Sequence, residues 1–395
     1  MSGGDLVNVD VIDGGVGVST QFDCTAGIGG IGVGLYNGAI LTNRGHIVGG
    51  QGGSDTQGDR KDFSGYYPAA AGGAGVVVAG GQLTNTGLIT GGMGGSAERA
   101  IIHGGNGVAF GGYGGAGVDL YSGEVINRGV ISGGEGGTGY GFYKAYGWAG
   151  GSGVYLDGGT LIDAGTIEGG KTGVPSGSSS PFYYADAVRF GSVASTLIVD
   201  PGAVFVGAVV AKTGVDDVLE LAGTKPGTLS GLGTQFIDFT TITVDVGASW
   251  TLTDPGSLPA TTSLTDDGDL LVRGSITLKG EVSGSGTLAL AANATINAVG
   301  ALGVANISFV DGGTAALDVH QPSLFTSIVS GFGSDDTIDL GSITATSLSF
   351  SDGTLTVFDG TTAVDQLMFA GSYSTDNFSH TPDDHGGTII GFVAV

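Results

Sequence analysis

Leu83-Thr-Asn85-Thr-Gly87-Leu-Ile89-Thr-Gly91-Gly92 is the segment that decides the fold, because the chain repeats it. Copies around positions 43, 85 and 127 place an asparagine every 42 residues. Two later copies around positions 163 and 200 carry aspartate instead. A fixed period of roughly 20 to 50 residues is typical of architectures that stack one structural unit on the next.

Each copy has the alternation of a strand with one buried face. Leu41, Asn43 and Ile47 fall on one side, and Arg44 and His46 fall on the other. This period of two is typical of β-structure. A second repeated piece, which ends at positions 76, 118 and 154, leads into each copy. We expect glycines at fixed offsets to supply positive φ angles and tight corners between these pieces.

A single repeat cannot bury its leucine and isoleucine face, so the copies must stack, each strand pairing in parallel with its equivalent. The sequence therefore predicts an all-β fold, a right-handed parallel β-solenoid (β-helix) with loop insertions on one face and a C-terminal β cap. We expect an N-terminal cap at 1–28, a repeat solenoid at 29–211, continued solenoid at 212–330, and a C-terminal cap at 331–395 that could also act in secretion.

The repeated polar residue is expected to form a structural ladder, in which side-chain amides hydrogen-bond along the stack. The predicted members, from the first copy to the last, are Asn43, Asn85, Asn127, Asp163 and Asp200.

Insertions of varied sequence separate the repeated pieces, at about 51–71, 93–113, 135–149 and 171–185. We expect them to emerge at one corner of the coil, as an assembly or ligand-binding face, because tyrosine and tryptophan dominate interaction hot spots. The alternative is that these aromatic side chains fold over the loops as local cores. The aromatic residues concerned are Phe63, Tyr66, Tyr67, Phe110, Tyr113, Tyr140, Phe142, Tyr143, Tyr146, Trp148, Phe182, Tyr183 and Tyr184.

Composition and charge exclude several classes of function. The 395 residues include 83 glycines, 41% are hydrophobic, and the net charge is −25. Nucleic acid is therefore an unfavourable partner, since phosphate binding needs a cationic face. No apolar run of about 18 residues predicts a membrane span. Cys24 is the single cysteine, which excludes an internal disulfide.

No arrangement of reactive residues stands out, so we expect no enzyme and no cofactor other than calcium. The phosphate-loop match at 165–172 coincides with the repeat's own glycines, and no helix follows it. No rung-to-rung set of aspartate with arginine or lysine is apparent. Asp335, Asp336 and Asp339 are the candidate calcium ligands, since calcium prefers oxygen; the alternative is that such acidic residues form turns.

The repeat, as in residues 83–92, resembles the passenger β-helices of bacterial autotransporters and haemagglutinin-like adhesins over 29–211. The tail from 331, with Gly-Ser-Asp335-Asp336-Thr-Ile-Asp339-Leu, resembles the C-terminal region of proteins exported by type I secretion. The resemblance implies an extracellular or bacterial cell-surface location and an adhesive or matrix role. The calcium nonapeptide Gly-Gly-x-Gly-x-Asp is never completed here, which departs from the second pattern.

The function expected from these patterns is that of a secreted, non-enzymatic structural or adhesive protein. Its main partner would be itself, in a filament, surface layer or biofilm matrix. The alternative is a parallel β-helix that binds or cleaves a surface polysaccharide.

Overall fold

The computed structural model describes residues 1–20, 25–57, 69–99, 108–140, 144–174, 183–310 and 312–395. It is all-β, with large and mostly parallel sheets and two single-turn 3-10 helices, Pro322–Leu324 and Thr375–Asn377. This confirms the predicted class and is consistent with a β-helix. Within the described residues, no helix is long and apolar enough to span a membrane.

The chain divides into two compact units. Unit 1 comprises Met1–Ile198 with Gly202–Asp217, and unit 2 comprises Val199–Pro201 with Val218–Val395. The predicted boundaries after residues 28, 211 and 330 stay predictions.

The first 21 strands run through the region of unit 1. They are β1 (Asp5–Asn8), β2 (Val11–Asp13), β3 (Val33–Tyr36), β4 (Ile40–Asn43), β5 (His46–Val48), β6 (Asp55–Gln57), β7 (Val76–Asn85), β8 (Leu88–Thr90), β9 (Ala97–Arg99), β10 (Val108–Phe110), β11 (Val118–Asn127), β12 (Val130–Ser132), β13 (Gly139–Tyr140), β14 (Lys144–Tyr146), β15 (Val154–Leu156), β16 (Gly159–Asp163), β17 (Thr166–Glu168), β18 (Val188–Phe190), β19 (Ser195–Val199), β20 (Val204–Val206) and β21 (Val209–Val210).

Most of these strands form three parallel columns, and we call the set that one repeat contributes a rung. One column contains β3, the start of β7 and β11, then β15, β18 and β21. A second contains β1, β4, the ends of β7 and β11, and β16. The third contains β2, β5, β8, β12, β17 and β20. Equivalent residues pair in register, as expected from the repeat, except at an irregularity between Leu120 and Gly123 in β11.

The core of unit 1 consists of apolar side chains stacked along these columns. Leu41, Leu83, Val125 and Leu161 follow one another and are fully buried. The alternation read from the sequence is confirmed, since Leu41, Asn43 and Ile47 are buried while Arg44 is exposed.

A glycine layer lies beside the three columns. Outgoing segments leave each rung toward an insertion, and returning segments come back from it. The outgoing segments are 14–18, 49–53, 91–95, 133–137 and 169–173, and the returning segments are 27–32, 69–75, 111–117, 147–153 and 185–187.

Hydrogen bonds in the glycine layer repeat every three residues, the period of a polyproline II helix. The amides of Gly49 and Gly52 donate to the next outgoing segment, at Thr90 and Met93, over 2.9 and 2.8 Å. The amides of Gly50 and Gly53 donate to the returning segment 27–32, over 2.7 and 2.8 Å. The remaining residue of the central triplet is exposed in three rungs, at Gln51, Met93 and Glu135.

The expectation that glycines supply positive φ angles is confirmed between the two repeated pieces, where Gly80 and Gly123 have φ values of 86° and 101°. It does not extend to the glycine layer. Gly49, Gly50, Gly52 and Gly53 have φ values outside the left-handed region. A Cβ on Gly50 would overlap the carbonyl oxygen of Gly15. Glycine is required here because neighbouring backbones approach too closely for any side chain.

Strands of the second unit follow the chain from Val218. They are β22 (Val218–Leu221), β23 (Gly227–Ser230), β24 (Phe236–Ile237), β25 (Thr241–Val244), β26 (Ser249–Thr253), β27 (Ser257–Leu258), β28 (Ser263–Asp266), β29 (Asp269–Arg273), β30 (Ser275–Leu278), β31 (Val282–Leu290), β32 (Thr295–Ala298), β33 (Leu302–Phe309), β34 (Ala316–Val319), β35 (Ile328–Ser330), β36 (Thr337–Leu340), β37 (Ser347–Ser351), β38 (Thr354–Asp359), β39 (Thr362–Ala370), β40 (Phe378–Pro382) and β41 (Thr388–Phe392).

Unit 2 stacks parallel strands with a shorter repeat and then changes direction. In the parallel pairs from β22 to β36, partner residues lie 18 to 23 positions apart. The columns run through β22, β25 and β28, through β26 and β29, and through β30, β32, β34 and β36. From β36 onward, β41 and β40 pair antiparallel, as do β37, β38 and β39.

Candidate functional site

The polar ladder lies between the second and third columns of unit 1. The side-chain amide of Asn43 donates to Oδ1 of Asn85 over 2.8 Å, and that of Asn85 donates to Asn127 over the same distance. Asn127 donates to Oδ1 of Asp163 over 2.7 Å. Each ladder side chain is 0% exposed, so the row has a structural role inside the rung.

Asn8 extends the ladder by one member that the sequence repeat did not suggest. Its amide donates to Oδ1 of Asn43 over 2.8 Å. The signal was the polar residue at the end of β1, which pairs in register with Asn43. Asp200, predicted as the last member, lies just after β19 and belongs to unit 2.

The bases of the insertions stack on one another through the glycine layer. Beyond it, β6, β9 and β13 form one parallel sheet, and β10 and β14 form a second. The backbone stacking of the rungs therefore continues into the insertions.

Three of the predicted interface aromatics come together at the edge of the glycine layer. The Trp148 ring lies 4.4 Å from the Tyr113 ring and 5.8 Å from the Phe110 ring, both in edge-on geometry. Tyr113 remains 50% exposed. These rings form a local cluster that also presents one exposed member, so both sequence interpretations have a counterpart here.

The other predicted aromatics are divided between described and undescribed parts of the chain. Tyr140 and Tyr183 are 42% and 66% exposed, and the Tyr184 ring lies 5.9 Å from Nζ of Lys171. Tyr146 lies in β14. Six predicted residues fall outside the described residues: Phe63, Tyr66, Tyr67, Phe142, Tyr143 and Phe182.

An acidic, aromatic and basic side chain follow one another on the outer face of the β11, β15 and β18 column. Asp119 pairs in register with Tyr155, and Tyr155 pairs with Arg189. Their neighbours in each strand, such as Val154 and Leu156, are fully buried, so these three side chains point outward. Adjacent strands are about 4.8 Å apart. We call Asp119, Tyr121, Tyr155, Asp157 and Arg189 the outer strip.

The pKa values of Asp119, Tyr121 and Tyr155 in the outer strip are all raised. The Tyr121 and Tyr155 rings are 6.2 Å apart, and Tyr121 is 45% exposed. Burial raises the pKa of Asp119 to about 6. Burial and then the charge of Asp119 raise the pKa of Tyr121. Burial likewise raises the pKa of Tyr155, while nearby Arg189 acts in the opposite direction.

Backbone donors fix the remaining acid of the strip. Oδ1 of Asp157 accepts hydrogen bonds from the amides of Ser192 and Val193, over 2.5 and 2.9 Å. The guanidinium of Arg189 lies 3.8 Å from the carboxylate of Asp186. Charged and aromatic groups are therefore held side by side across three rungs.

From the sequence we expected no aspartate and arginine side chains to line up on successive rungs. That expectation is wrong, because the outer strip is such a set. The set was missed because the copy containing Val188-Arg189-Phe190 follows an insertion of different length. The sequence pattern that could have revealed the set is the residue after each repeated valine: Asp119 after Val118, Tyr155 after Val154 and Arg189 after Val188.

The residues proposed to bind calcium have separate environments. The carboxylate of Asp336 accepts backbone hydrogen bonds from Ala315 and Gly333, over 3.1 and 3.0 Å. Asp335 has a φ of 72° in the adjoining turn, and Asp339 lies in β36. In the part of the chain that the structure describes, no group of three or more histidine, cysteine, aspartate or glutamate side chains is arranged to hold a metal. Calcium binding stays a prediction.

The first rung presents an edge of the parallel stack. β1 pairs with β4, and β2 pairs with β5; among the described residues neither has a strand partner on its other side. Val7, Val9 and Val11 beside this edge are 56%, 71% and 56% exposed. An edge with free backbone groups and apolar neighbours can pair with another chain.

No protein-family model and no curated protein matches this chain.

Proposed function

We propose that the protein is a non-enzymatic structural or adhesive protein of the extracellular space or a bacterial cell surface, and that it self-associates. Its fold in this proposal is a closed, right-handed β-solenoid with the insertions on one face. The antiparallel strands β37 to β41 form the C-terminal cap. The observation that carries self-association is the first rung, whose edge strands β1 and β2 lie beside exposed valines.

The first rung supports association because stacking is already the rule throughout unit 1. A second copy that meets this edge would continue the backbone ladder and cover Val7, Val9 and Val11. Burial of each valine side chain contributes roughly 1.5 kcal/mol or more. The backbone pairing adds direction to this apolar contact.

A polymer needs a second contact, because an edge that pairs only with its own copy gives a closed dimer. The insertion side supplies a candidate, with exposed Tyr113 beside Trp148. Tyrosine and tryptophan are enriched in interface hot spots. The two contacts together would link dimers into a filament, surface layer or matrix.

Sedimentation velocity over a range of protein concentrations tests the first contact. Replacing Val7 and Val11 together by lysine should lower the average mass at every concentration, since like charges would then meet across the edge. The matched control is Val246→Lys, which changes a valine that is 82% exposed in unit 2. It should assemble as the unchanged protein does.

Either of two results would contradict the proposal. One is a protein that stays monomeric at all concentrations. The other is a Val7→Lys, Val11→Lys variant that has an unchanged circular dichroism spectrum and associates as strongly as the control.

A further inference from the structure

The outer strip combines features that the self-association proposal does not use. It lies on the face of the column opposite the buried Val118 and Leu120, and it carries two tyrosines within 6.2 Å of each other. Flat aromatic faces pack against the C–H faces of sugar rings, and weak C–H contacts add to the burial. Neighbouring polar groups would then fix the orientation of a ligand.

The rung spacing repeats these groups along one direction. Asp119, Tyr155 and Arg189 succeed one another at intervals of about 4.8 Å. At the start of the same column, Gly34 pairs with Val77, and Val77 pairs with Asp119. The ring of Tyr36 packs against Gly34, where a Cβ would come within 2.8 Å of it. A third tyrosine, Tyr36, is 40% exposed and lies beyond the buried Val77 in the same column.

Polar groups on the strip are suited to hydroxyl and amino groups. The hydrogen bonds that the Asp157 carboxylate accepts from Ser192 and Val193 all use Oδ1, and among the described residues no donor uses its second oxygen. That oxygen can accept from a ligand. Arg189 has a side chain that is 65% exposed and can donate.

The charge of the outer strip determines which class of polysaccharide can bind to it. Three carboxyl groups and one guanidinium lie in this region: Asp119, Asp157 and Arg189 each act electrostatically on Tyr155, and Asp186 lies 3.8 Å from Arg189. A polymer of acidic sugars would meet like charges, which costs affinity. Amino sugars would gain a charge-assisted hydrogen bond to a carboxylate.

We propose that the outer strip binds a polysaccharide that carries no acidic groups, with sugar rings packed against Tyr121 and Tyr155. Asp119 on β11 and Asp157, directly after β15, accept from its hydroxyl or amino groups. This site is separate from the first rung and from the insertion aromatics. Its function does not depend on self-association.

Isothermal titration calorimetry tests the strip with three probes: a glucosamine hexamer, a glucose hexamer with β-1,4 linkages, and polygalacturonate fragments. We expect affinity to fall in that order. Tyr155→Thr, which keeps a strand-forming residue, should weaken binding of the glucosamine hexamer about tenfold, because the packed ring contributes burial and stacking. Asp119→Asn should weaken the glucosamine hexamer more than the glucose hexamer.

Controls separate the strip from the rest of the surface. Asp359→Asn removes one exposed carboxylate from the end of β38 and should leave both affinities unchanged. Tyr113→Thr tests the insertion side directly. The proposal is overturned if neither hexamer binds, if polygalacturonate binds most tightly, or if Tyr113→Thr rather than Tyr155→Thr weakens binding.

Discussion

Replacing Gly92 by alanine tests why the glycine layer requires glycine. The amide of Gly92 donates to Gly73, and its carbonyl accepts from Gly115, both over 2.8 Å. An added Cβ would overlap the carbonyl oxygen of Gly50 and lie 2.8 Å from that of Gly49. Because backbone atoms cannot rotate away, the segment must move and lose hydrogen bonds.

The expected cost follows from these contacts. Overpacking costs about 1 to 3 kcal/mol, and each of the two backbone hydrogen bonds contributes about 1 kcal/mol net. Alanine also lowers the conformational entropy of the unfolded chain, which stabilises the folded state by about 0.4 to 1 kcal/mol. We therefore expect Gly92→Ala to lower the free energy of unfolding by about 2 to 5 kcal/mol.

Urea unfolding followed by the fluorescence of Trp148 measures this loss in unit 1. A Trp250→Phe background removes the second tryptophan, which lies in unit 2. The midpoint at constant slope reports the change in stability. Met93→Ala is the matched control in the same segment, because Met93 is 48% exposed, and its effect should stay within about 0.5 kcal/mol.

A second comparison distinguishes close approach from backbone conformation. Gly4 has a φ of 80° and nothing within 4 Å of an added Cβ. Gly4→Ala should therefore cost only about 1 kcal/mol, from the left-handed conformation alone. If Gly92→Ala cost no more than Gly4→Ala, the close-approach explanation of the layer would be refuted.

Two further substitutions test buried polar groups. Asn85→Asp should lower the melting temperature at pH 8, because its carboxylate would face Oδ1 of Asn127 in place of a 2.8 Å donor bond. At pH 5 the melting temperature of this variant should be partly restored. Equal melting temperatures at both pH values would contradict the ladder. Burial raises the pKa of Asp266 from 3.8 to about 7, and its buried Oδ2 has no hydrogen-bond partner among the residues that the structure describes. The folded state therefore binds this proton more tightly, so stability is lost as pH rises from about 4 to 7, by at most roughly 4 kcal/mol. Asp266→Asn should remove that part of the pH dependence in urea midpoints, and an unchanged dependence would show that Asp266 is not its source.

Much of unit 1 could be predicted because its repeat is local. Alternation identified the buried face of strands such as β4 and β5, and the period of the asparagines located the ladder. Both signals depend on residues that lie within a few positions of each other and return in every rung. The register then follows, since a slip by one residue would expose Leu41 and Ile47.

The glycine layer was not predicted because its cause is contact between distant backbones. The pattern Gly49-Gly-Gln-Gly-Gly53 recurs at 91–95 and 133–137, and its period of three was visible in the sequence. Which glycine faces which neighbour depends on hydrogen bonds to segments 9 to 42 residues away. A glycine-rich sequence alone does not distinguish close packing from turns.

The outer strip was not predicted because insertion length decides which residues become neighbours. Tyr155 and Arg189 are 34 positions apart, whereas Asn43 and Asn85 are 42 apart. Only the paired register of β15 and β18 places Arg189 beside Tyr155. In unit 2, the switch from parallel to antiparallel pairing at β36 and β41 has no repeated signal in the sequence.

Negative-stain electron microscopy at several protein concentrations, with and without calcium, tests self-association most directly. We expect ordered fibres or sheets of the unchanged protein and of Val246→Lys, and their loss in the variant with lysine at positions 7 and 11. An effect of calcium on the fibres would link the predicted acidic ligands to assembly. Dispersed single particles of the unchanged protein under every condition would contradict self-association.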